Sequence, residues 1–111
     1  MTVQAAATIQ SPIEVPPDHP SFAGHFPKFP ILPGAVLLDE ALQAIQRTRG
    51  IDLEEWRIAT VKFLDVVHPG DALRLEHAAT AAGLIRFTIR AAGGVVAVGT
   101  LSSAPPPGAG P

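Results

Sequence analysis

A histidine at position 25 and an aspartate at position 39 are the two side chains of this sequence whose surroundings suggest chemistry. Histidine is the natural proton acceptor near neutral pH, because its ordinary pKa is about 6.5. A carboxyl group among apolar side chains tends to keep its proton. Together they could remove a proton from one atom of a substrate and donate a proton to another. A lone loop histidine is more often only structural, so the surrounding sequence has to support this interpretation.

His25 lies at the start of a proline-rich loop, Gly24 to Gly34, which reads G-H-F-P-K-F-P-I-L-P-G. Its three prolines fix the backbone at three points, and the residue before a proline avoids helical geometry. The residues before these prolines, Phe26, Phe29 and Leu32, are therefore expected to be extended. The loop should be stiff, and it should deliver the chain into a helix at Pro33-Gly34.

Residues 35 to 45 predict a helix, since they contain no glycine or proline and are mostly good helix formers. Apolar residues cover almost its whole circumference, a pattern typical of a buried helix. Asp39 and Gln43 share one face, and burial there should favour the protonated form of Asp39. An ion pair between Asp39 and Arg47 is the structural alternative. Gly50 predicts the end of the helix.

The composition predicts one domain, residues 1–103, followed by a disordered tail rich in proline and glycine, residues 104–111. The net charge of −2 in 111 residues gives no reason to expect nucleic acid or an anionic membrane as a partner. The absence of cysteine excludes disulfides, thiolate metal sites and a cysteine nucleophile. The first residues lack the pattern of a signal peptide, so we expect a cytoplasmic protein.

The remaining sequence predicts short strands on either side of the helix. Two short strands precede it, kept at a sheet edge by nearby prolines, and four follow it. The predicted strands are Val3–Ile9, Ile13–Val15, Arg57–Val67, Leu73–His77, Leu84–Arg90 and Val95–Leu101. Gly93-Gly94 indicates a hairpin between the last two. The expected fold class is α+β, with an antiparallel sheet curled around one long central helix.

The loop and the helix together resemble the 3-hydroxyacyl-[acyl-carrier-protein] dehydratases, the FabA/FabZ-like enzymes of the hot-dog fold, and their short ApeI-like relatives. The family loop reads roughly G-H-F-P-G-x-P-I-x-P-G, followed by a carboxylate five residues after the last glycine and a glutamine four residues later. The matching positions are His25, Phe26, Pro27, Pro30, Ile31, Pro33, Gly34, Asp39 and Gln43. Lys28 departs from the family pattern, which has glycine there, and Asp39 replaces the glutamate of many members.

This resemblance implies an enzyme that removes water from 3-hydroxyacyl thioesters in fatty-acid or polyketide-like biosynthesis, without a metal or an organic cofactor. His25 would be the base and Asp39 the proton donor to the leaving hydroxyl group. The Gly34 amide would stabilise the thioester oxygen, and Gln43 would orient Asp39. The substrate would lie against Phe22, Phe26, Phe29 and Pro33. The resemblance also implies a homodimer, or a larger assembly of dimers, in which His25 of one subunit faces Asp39 of the other.

Several of these residues have structural alternatives. Gly34 suits a helix start in either interpretation, and Phe22, Phe26 and Phe29 are core candidates as much as substrate contacts. Lys28 could meet a phosphopantetheine phosphate or an acidic carrier protein, although a solvated lysine is the simpler interpretation. The histidines at 19, 68 and 77 are expected to lie in turns or on a polar strand face, and to be structural or solvated.

Two other functions stay open. One is a hot-dog thioesterase or enoyl-CoA hydratase, and the other is a non-catalytic subunit that binds acyl thioesters. The identity of the substrate carrier, acyl carrier protein or CoA, is also open, as are the length of the acyl chain and any isomerase activity.

Overall fold

The computed structural model describes residues 8–15 and 32–103. Within these ranges the chain forms one helix and one antiparallel sheet, as the α+β prediction requires. Strand β1 (Ile9–Ile13) precedes helix α1 (Gly34–Arg49), and a 3₁₀ turn (Leu53–Glu55) leads into the remaining strands. These are β2 (Trp56–Phe63), β3 (Leu73–Ala79), β4 (Leu84–Ala91) and β5 (Gly94–Ser103). The predictions for residues 1–7, 16–31 and 104–111 lie outside the described residues.

The sheet has the order β1-β3-β4-β5-β2, so β1 and β2 are its two edges. The sequence predicts separate strands before and after residues 10–12, but the structure has one strand through Pro12. Pro12 lies opposite Arg74 in the pairing with β3. Proline is tolerated there because an edge strand uses only one side of its backbone for pairing.

Alternation along β3 and β4 places one face of the sheet against the helix. Leu73, Leu75 and His77 of β3 are buried, and the residues between them point to the opposite face. The same pattern buries Ile85, Phe87 and Ile89 of β4. The strict alternation predicted for Leu73–His77 is therefore confirmed.

Gly99 of β5 lies directly beneath the ring of Phe87. A Cβ atom at position 99 would collide with that ring and approach the Thr60 carbonyl oxygen to 2.9 Å. The aromatic ring thus fills the space that a side chain would take on the neighbouring strand. This contact makes glycine at position 99 a packing requirement of the core.

Helix α1 begins and ends close to the predicted positions. Gly50 adopts a left-handed conformation with φ of 65°, and its N–H donates to the Gln46 carbonyl oxygen at 2.9 Å. Arg47 and Arg49 lie in the last turn, where cations interact favourably with the helix dipole.

The prediction that α1 is buried nearly all round is wrong for the single chain. Leu37, Ala41, Ala44 and Ile45 form a buried stripe, whereas the opposite side of the helix is exposed. One sheet can cover only one side of a helix, so the apolar residues outside this stripe need a second surface. Val36, Leu38 and Leu42 are accordingly only half-buried.

Strand β2 leaves large apolar side chains exposed. Ile58, Val61 and Phe63 are 45%, 36% and 46% exposed, and Leu64 and Val66 just beyond the strand are 52% and 42% exposed. A register irregularity between Ile58 and Thr60 explains why Ile58 and Val61 share a face despite their odd spacing. We call these five residues the β2 apolar edge. Among the described residues, no helix has the length and hydropathy needed to cross a membrane.

Candidate active site

The structure describes four of the residues that the sequence assigned to the site, namely Pro33, Gly34, Asp39 and Gln43. The predicted base His25 and the predicted substrate contacts Phe22, Phe26 and Phe29 lie outside the described residues, as does Lys28. Their roles stay predictions. The helix half of the site can be described from its contacts.

Asp39 and Gln43 are joined by a hydrogen bond. The Gln43 Nε2 atom donates to the Asp39 Oδ2 atom at 2.7 Å, across one helical turn. Among the described residues, Arg90 pairs with Glu76, and His68 Nδ1 lies 3.7 Å from Asp71 Oδ2; the pairing of Asp39 with Arg47 considered above is not observed. The amide of Gln43 holds the carboxyl group in one orientation, which is the arrangement that the predicted roles require.

Asp39 is exposed in the single chain, which corrects the expectation that it lies in apolar surroundings. The reason is its position on the helix, opposite the stripe that packs on the sheet. The half-buried Leu38 and Leu42 adjoin it on the helix surface. Any apolar environment for this carboxyl group must therefore come from outside the part of the chain that the structure describes.

The start of α1 is fixed by contacts with the segment that follows β2. The Leu32 N–H donates to the Val67 carbonyl oxygen at 2.8 Å, immediately before the helix. The Pro33 carbonyl oxygen then accepts from the N–H groups of Val36 and Leu37 at 3.0 and 3.1 Å. These bonds orient the first helical turn, whose amides carry the positive end of the helix dipole.

Gly34, the first residue of the helix, lies against the ring of Phe63. A Cβ atom at position 34 would approach three ring atoms to between 3.0 and 3.1 Å. This close contact is a structural reason for glycine at position 34. It is compatible with a catalytic reason, because the same lack of a side chain lets a ligand approach the backbone.

A cavity of about 230 Å³ opens beside this helix start. Its walls are mostly apolar, and Asp65 is the one ionisable residue among those described there. The lining residues are Leu32, Pro33, Gly34, Leu37, Phe63, Asp65, Val66 and Val67. Pro33, predicted as a substrate contact, therefore does line a cavity. The sequence did not identify the contributions of Phe63 and Val66, because they depend on how the end of β2 and the segment after it pack against the helix start.

His77 is a buried residue whose surroundings the sequence analysis left undefined. It is 1% exposed, and its Nδ1 atom accepts from Arg49 Nε at 2.8 Å. Its Nε2 atom lies 3.0 Å from Thr48 Oγ1, and that hydroxyl also lies 2.8 Å from the Ala44 carbonyl oxygen, to which it donates. Because Nδ1 is an acceptor, Nε2 carries the proton and donates to Thr48.

Burial, and secondarily the Arg49 charge, lower the pKa of His77 to about 4. The imidazole is therefore neutral near pH 7, with both nitrogens occupied by helix side chains. The alternation Leu73-Arg74-Leu75-Glu76-His77 was the signal that it faces the core. The prediction that His77 lies on a polar strand face is wrong, because its ring is on the buried face of β3; of the two alternatives, the structural role is confirmed and solvation is excluded. His68 is the contrasting case, an exposed turn residue whose N–H donates to Asp71 Oδ2 at 2.8 Å.

Comparisons with known proteins point to one family. A family model described as ApeI-like, ApeI dehydratase, matches residues 2–100. The 3-hydroxyacyl-[acyl-carrier-protein] dehydratase FabZ of Chlamydia trachomatis serovar L2 is 41% identical over 68 residues, which cover 53% of this chain and 44% of that protein. The chain thus spans about half the length of the curated relatives it matches.

The solved structures support the fold and the family. The dehydratase heterocomplex ApeI:P from Xenorhabdus doucetiae matches with a TM-score of 0.68 and 26% identity, over 93% of this chain and 90% of that chain. A variant of the fluoroacetyl-CoA-specific thioesterase FlK matches with a TM-score of 0.57 and 12% identity, over 91% and 86% of the two chains. The hot-dog fold is confirmed, and it is shared with a thioesterase, so the fold alone does not determine the reaction.

Proposed function

The chain belongs to the ApeI-like dehydratase family, and we propose that it removes water from 3-hydroxyacyl thioesters to give trans-2-enoyl thioesters. The observation that carries this proposal is the Asp39 carboxyl group, held by Gln43 on the open side of the helix that starts at Gly34. That carboxyl group, the helix start and the histidine motif of the preceding loop supply the groups that this elimination needs. A metal or an organic cofactor has no part in the proposed reaction.

The reaction divides between His25, Asp39 and the helix start. His25 takes a proton from the carbon next to the thioester carbonyl, and Asp39 gives a proton to the hydroxyl group on the following carbon. The carbon–oxygen bond breaks, water leaves, and the electrons of the broken C–H bond form the new double bond. Negative charge that develops on the thioester oxygen is stabilised by the Gly34 amide at the positive end of the helix.

The cavity beside Gly34 is the proposed position of the thioester and the adjoining acyl carbons. Its volume of about 230 Å³ suits a short part of the substrate, and its walls are mostly apolar. Pro33 and Phe63 are among the residues that line this space. Phe22, Phe26 and Phe29 are proposed to extend it along the loop that carries His25.

A second copy of the chain would complete this site. The β2 apolar edge ends the sheet on one side, and an unpaired edge strand with exposed apolar residues favours pairing with another chain. Pairing across a two-fold axis would cover that edge and the exposed side of α1. Removing Asp39 from water would then favour its protonated form, as a proton donor requires. In this arrangement His25 of one subunit faces Asp39 of the other.

The ApeI:P complex of Xenorhabdus doucetiae is a heterocomplex, and this supports a second candidate for the partner. A related but different chain could cover the β2 apolar edge instead of a second copy. In that case, our chain would supply one half of the site. A sedimentation experiment on the purified chain separates the two candidates, since a homodimer forms without a second gene product.

The assay for the proposed reaction uses a 3-hydroxyacyl thioester of N-acetylcysteamine and of a holo-acyl carrier protein. Dehydration produces the absorbance of the conjugated enoyl thioester, whereas a thioesterase would release a free thiol. We expect enoyl formation without thiol release, and loss of turnover in His25→Ala with the fold retained. Thiol release would instead support a thioesterase, and a folded dimer without either product would support a non-catalytic binding subunit.

A further inference from the structure

Asp65 interrupts the exposed apolar stretch that ends β2 and continues beyond it. Its neighbours Leu64 and Val66 both belong to the β2 apolar edge, and Val67 after them is buried. A carboxylate within a surface that is proposed to pack against another chain opposes that packing, because it must lose water or find a donor. Stability therefore gives no reason for an acidic residue at position 65, and the cavity that it lines points to a functional one.

Asp65 shares the cavity of about 230 Å³ with the start of helix α1. It is the one ionisable residue among the described residues that line this cavity, and the other lining residues are apolar or glycine. Gly34, whose amide is proposed to stabilise the thioester oxygen, lines the same space. A hydrogen-bond acceptor therefore borders the proposed position of the thioester, in addition to the Asp39 carboxyl group on the helix.

Hydrogen bonds on both sides fix the position of Asp65. Before it, the Leu64 N–H donates to the Val96 carbonyl oxygen at 2.8 Å, and the Asp65 N–H donates to the same oxygen at 3.3 Å. After it, the Val67 carbonyl oxygen accepts from the Leu32 N–H at 2.8 Å. The short segment between these contacts is thus held to strand β5 at one end and to the entry of α1 at the other. A group that the fold holds in place beforehand binds a ligand at a lower entropic cost.

The Asp65 carboxylate has one partner within the described part of the fold, and that partner is local. Its Oδ1 atom accepts from the N–H of Val66, the next residue, at 2.8 Å. Among the described residues, no cation lies within ion-pair distance of this carboxylate. An ionised carboxylate has sites for about four hydrogen bonds, so Asp65 can accept from further N–H or O–H donors.

We propose that Asp65 accepts a hydrogen bond from the amide N–H of the substrate's thioester arm and so positions the thioester at the helix start. This inference rests on the proposed function. The arms of CoA and of a carrier protein end in the same group, in which an amide N–H is two carbons from the sulfur atom. The 3-hydroxyl group, the other donor near the thioester, is assigned to Asp39. The amide N–H is therefore the substrate donor left for Asp65, which binds substrate and takes no part in proton transfer.

An anionic group fits this cavity poorly. A phosphate beside Asp65 would place two negative charges together, which is unfavourable. The phosphate end of the arm therefore lies outside the cavity, and the neutral amide end lies within it. A second chain packed on the β2 apolar edge would remove water from around Asp65, and a hydrogen bond is stronger where water is excluded.

The test removes the donor from the substrate and the acceptor from the protein. The two substrates are the N-acetylcysteamine thioester and its ester isostere, in which an oxygen atom replaces the amide N–H. For the original protein we expect kcat/KM to be about tenfold lower for the isostere, mainly through KM, because one hydrogen bond to a charged group is lost. In Asp65→Ala the two substrates should differ by less than about twofold, since the acceptor is absent.

Asp65→Asn separates substrate binding from a structural role. Asparagine keeps an oxygen that can accept from the Val66 N–H, so the local hydrogen bond is retained. Its uncharged acceptor is weaker, and the preference for the amide should fall to about threefold. Glu55→Ala is the matched control, because Glu55 is an exposed acidic residue that does not line the cavity. It should keep the full preference, and a full preference in Asp65→Ala as well would overturn the inference.

Binding without turnover keeps this inference separate from the proposed function. S-butyryl-N-acetylcysteamine and its ester isostere lack the 3-hydroxyl group and cannot be dehydrated. In NMR titrations the original protein should bind the amide about tenfold more tightly than the isostere, and Asp65→Ala should bind both equally. That result without dehydration of any thioester would support the inference and contradict the proposed function. Dehydration with the same preference in the original protein and Asp65→Ala would contradict the inference and leave the proposed function standing.

Discussion

The two ends of helix α1 differ in how completely a single chain surrounds them. At the C-terminal end, Thr48 and Arg49 occupy both nitrogens of the buried His77. Nearer the N-terminal end, Asp39 and Gln43 contact each other on an exposed side of the helix. One end has its polar groups paired across the helix and the sheet, whereas the other presents a positioned carboxyl group to the exterior.

The polar contacts at the C-terminal end of α1 therefore serve stability, whereas those nearer the N-terminal end serve function. A fully buried polar group must find its partners within the fold, and His77 does. An exposed carboxyl group held in one orientation costs the fold little stability. It becomes functional only when another surface packs against it. Substitutions at the two ends should therefore change different properties.

The largest expected effect is on turnover, and it comes from a substitution nearer the N-terminal end of α1, where Asp39 is exposed. Asp39→Asn removes the proposed proton donor and should lower kcat by about 100-fold to 10,000-fold. The free energy of unfolding should change by less than about 0.5 kcal/mol, because asparagine has the shape of protonated aspartate and its carbonyl oxygen can still accept from Gln43. Enoyl absorbance and urea denaturation measure the two quantities. Glu40→Gln is the matched control, since Glu40 is the next residue on the same helix. An equal loss of kcat in Glu40→Gln would show that Asp39 is not the proton donor.

The next effect is on stability, at the paired end. His77→Leu leaves the Arg49 Nε–H without its acceptor and removes the hydrogen bond to Thr48, whereas the backbone carbonyl oxygen of residue 77 can still accept from Arg49 Nη2. We expect a loss of about 3 kcal/mol in the free energy of unfolding. Turnover per folded molecule should change less than twofold. His68→Leu, at an exposed turn, should lower the free energy of unfolding by less than about 0.5 kcal/mol. An equal loss in His68→Leu and His77→Leu would refute the special contribution of His77 to stability.

The pH dependence of stability should also depend on His77. Its pKa is lowered from 6.5 to about 4 in the folded chain, so the unfolded chain binds more protons between these values. Stability from this group is present above pH 6.5 and is lost as the pH falls toward 4. Between pH 7 and pH 5 the loss should be roughly 2 kcal/mol. Urea denaturation of the original chain and His77→Leu at both pH values measures it, and identical slopes would contradict the assignment.

The smallest of these effects concerns the orientation of Asp39. Gln43→Ala removes the 2.7 Å hydrogen bond to its carboxyl group and leaves the carboxyl group itself. We expect kcat to fall about tenfold, with KM and stability nearly unchanged. Gln43→Glu places a second carboxylate there and should be worse than Gln43→Ala. A variant without Gln43 that keeps full turnover would show that Asp39 is oriented by other groups.

The sequence predicted the elements well because their signals are local. The helix end at Gly50 follows from the ease with which glycine adopts a left-handed conformation, and strand β3 follows from its alternation, although the sequence analysis placed His77 on the polar face of that strand. The burial of Asp39 was predicted wrongly, since an apolar pattern does not say which surface covers each side of a helix. The cavity beside Gly34 could not be predicted, because Phe63 at the end of β2 and Val66 just beyond it meet the helix start only through tertiary packing.

The most direct test of the account is complementation between two inactive variants. His25→Ala and Asp39→Asn are unfolded together, refolded as a mixture and assayed for dehydration. If each site takes His25 from one subunit and Asp39 from the other, a mixed dimer regains one intact site, and random pairing restores about a quarter of the original activity. No recovery, in a mixture shown to contain mixed dimers, would contradict a site shared between two copies.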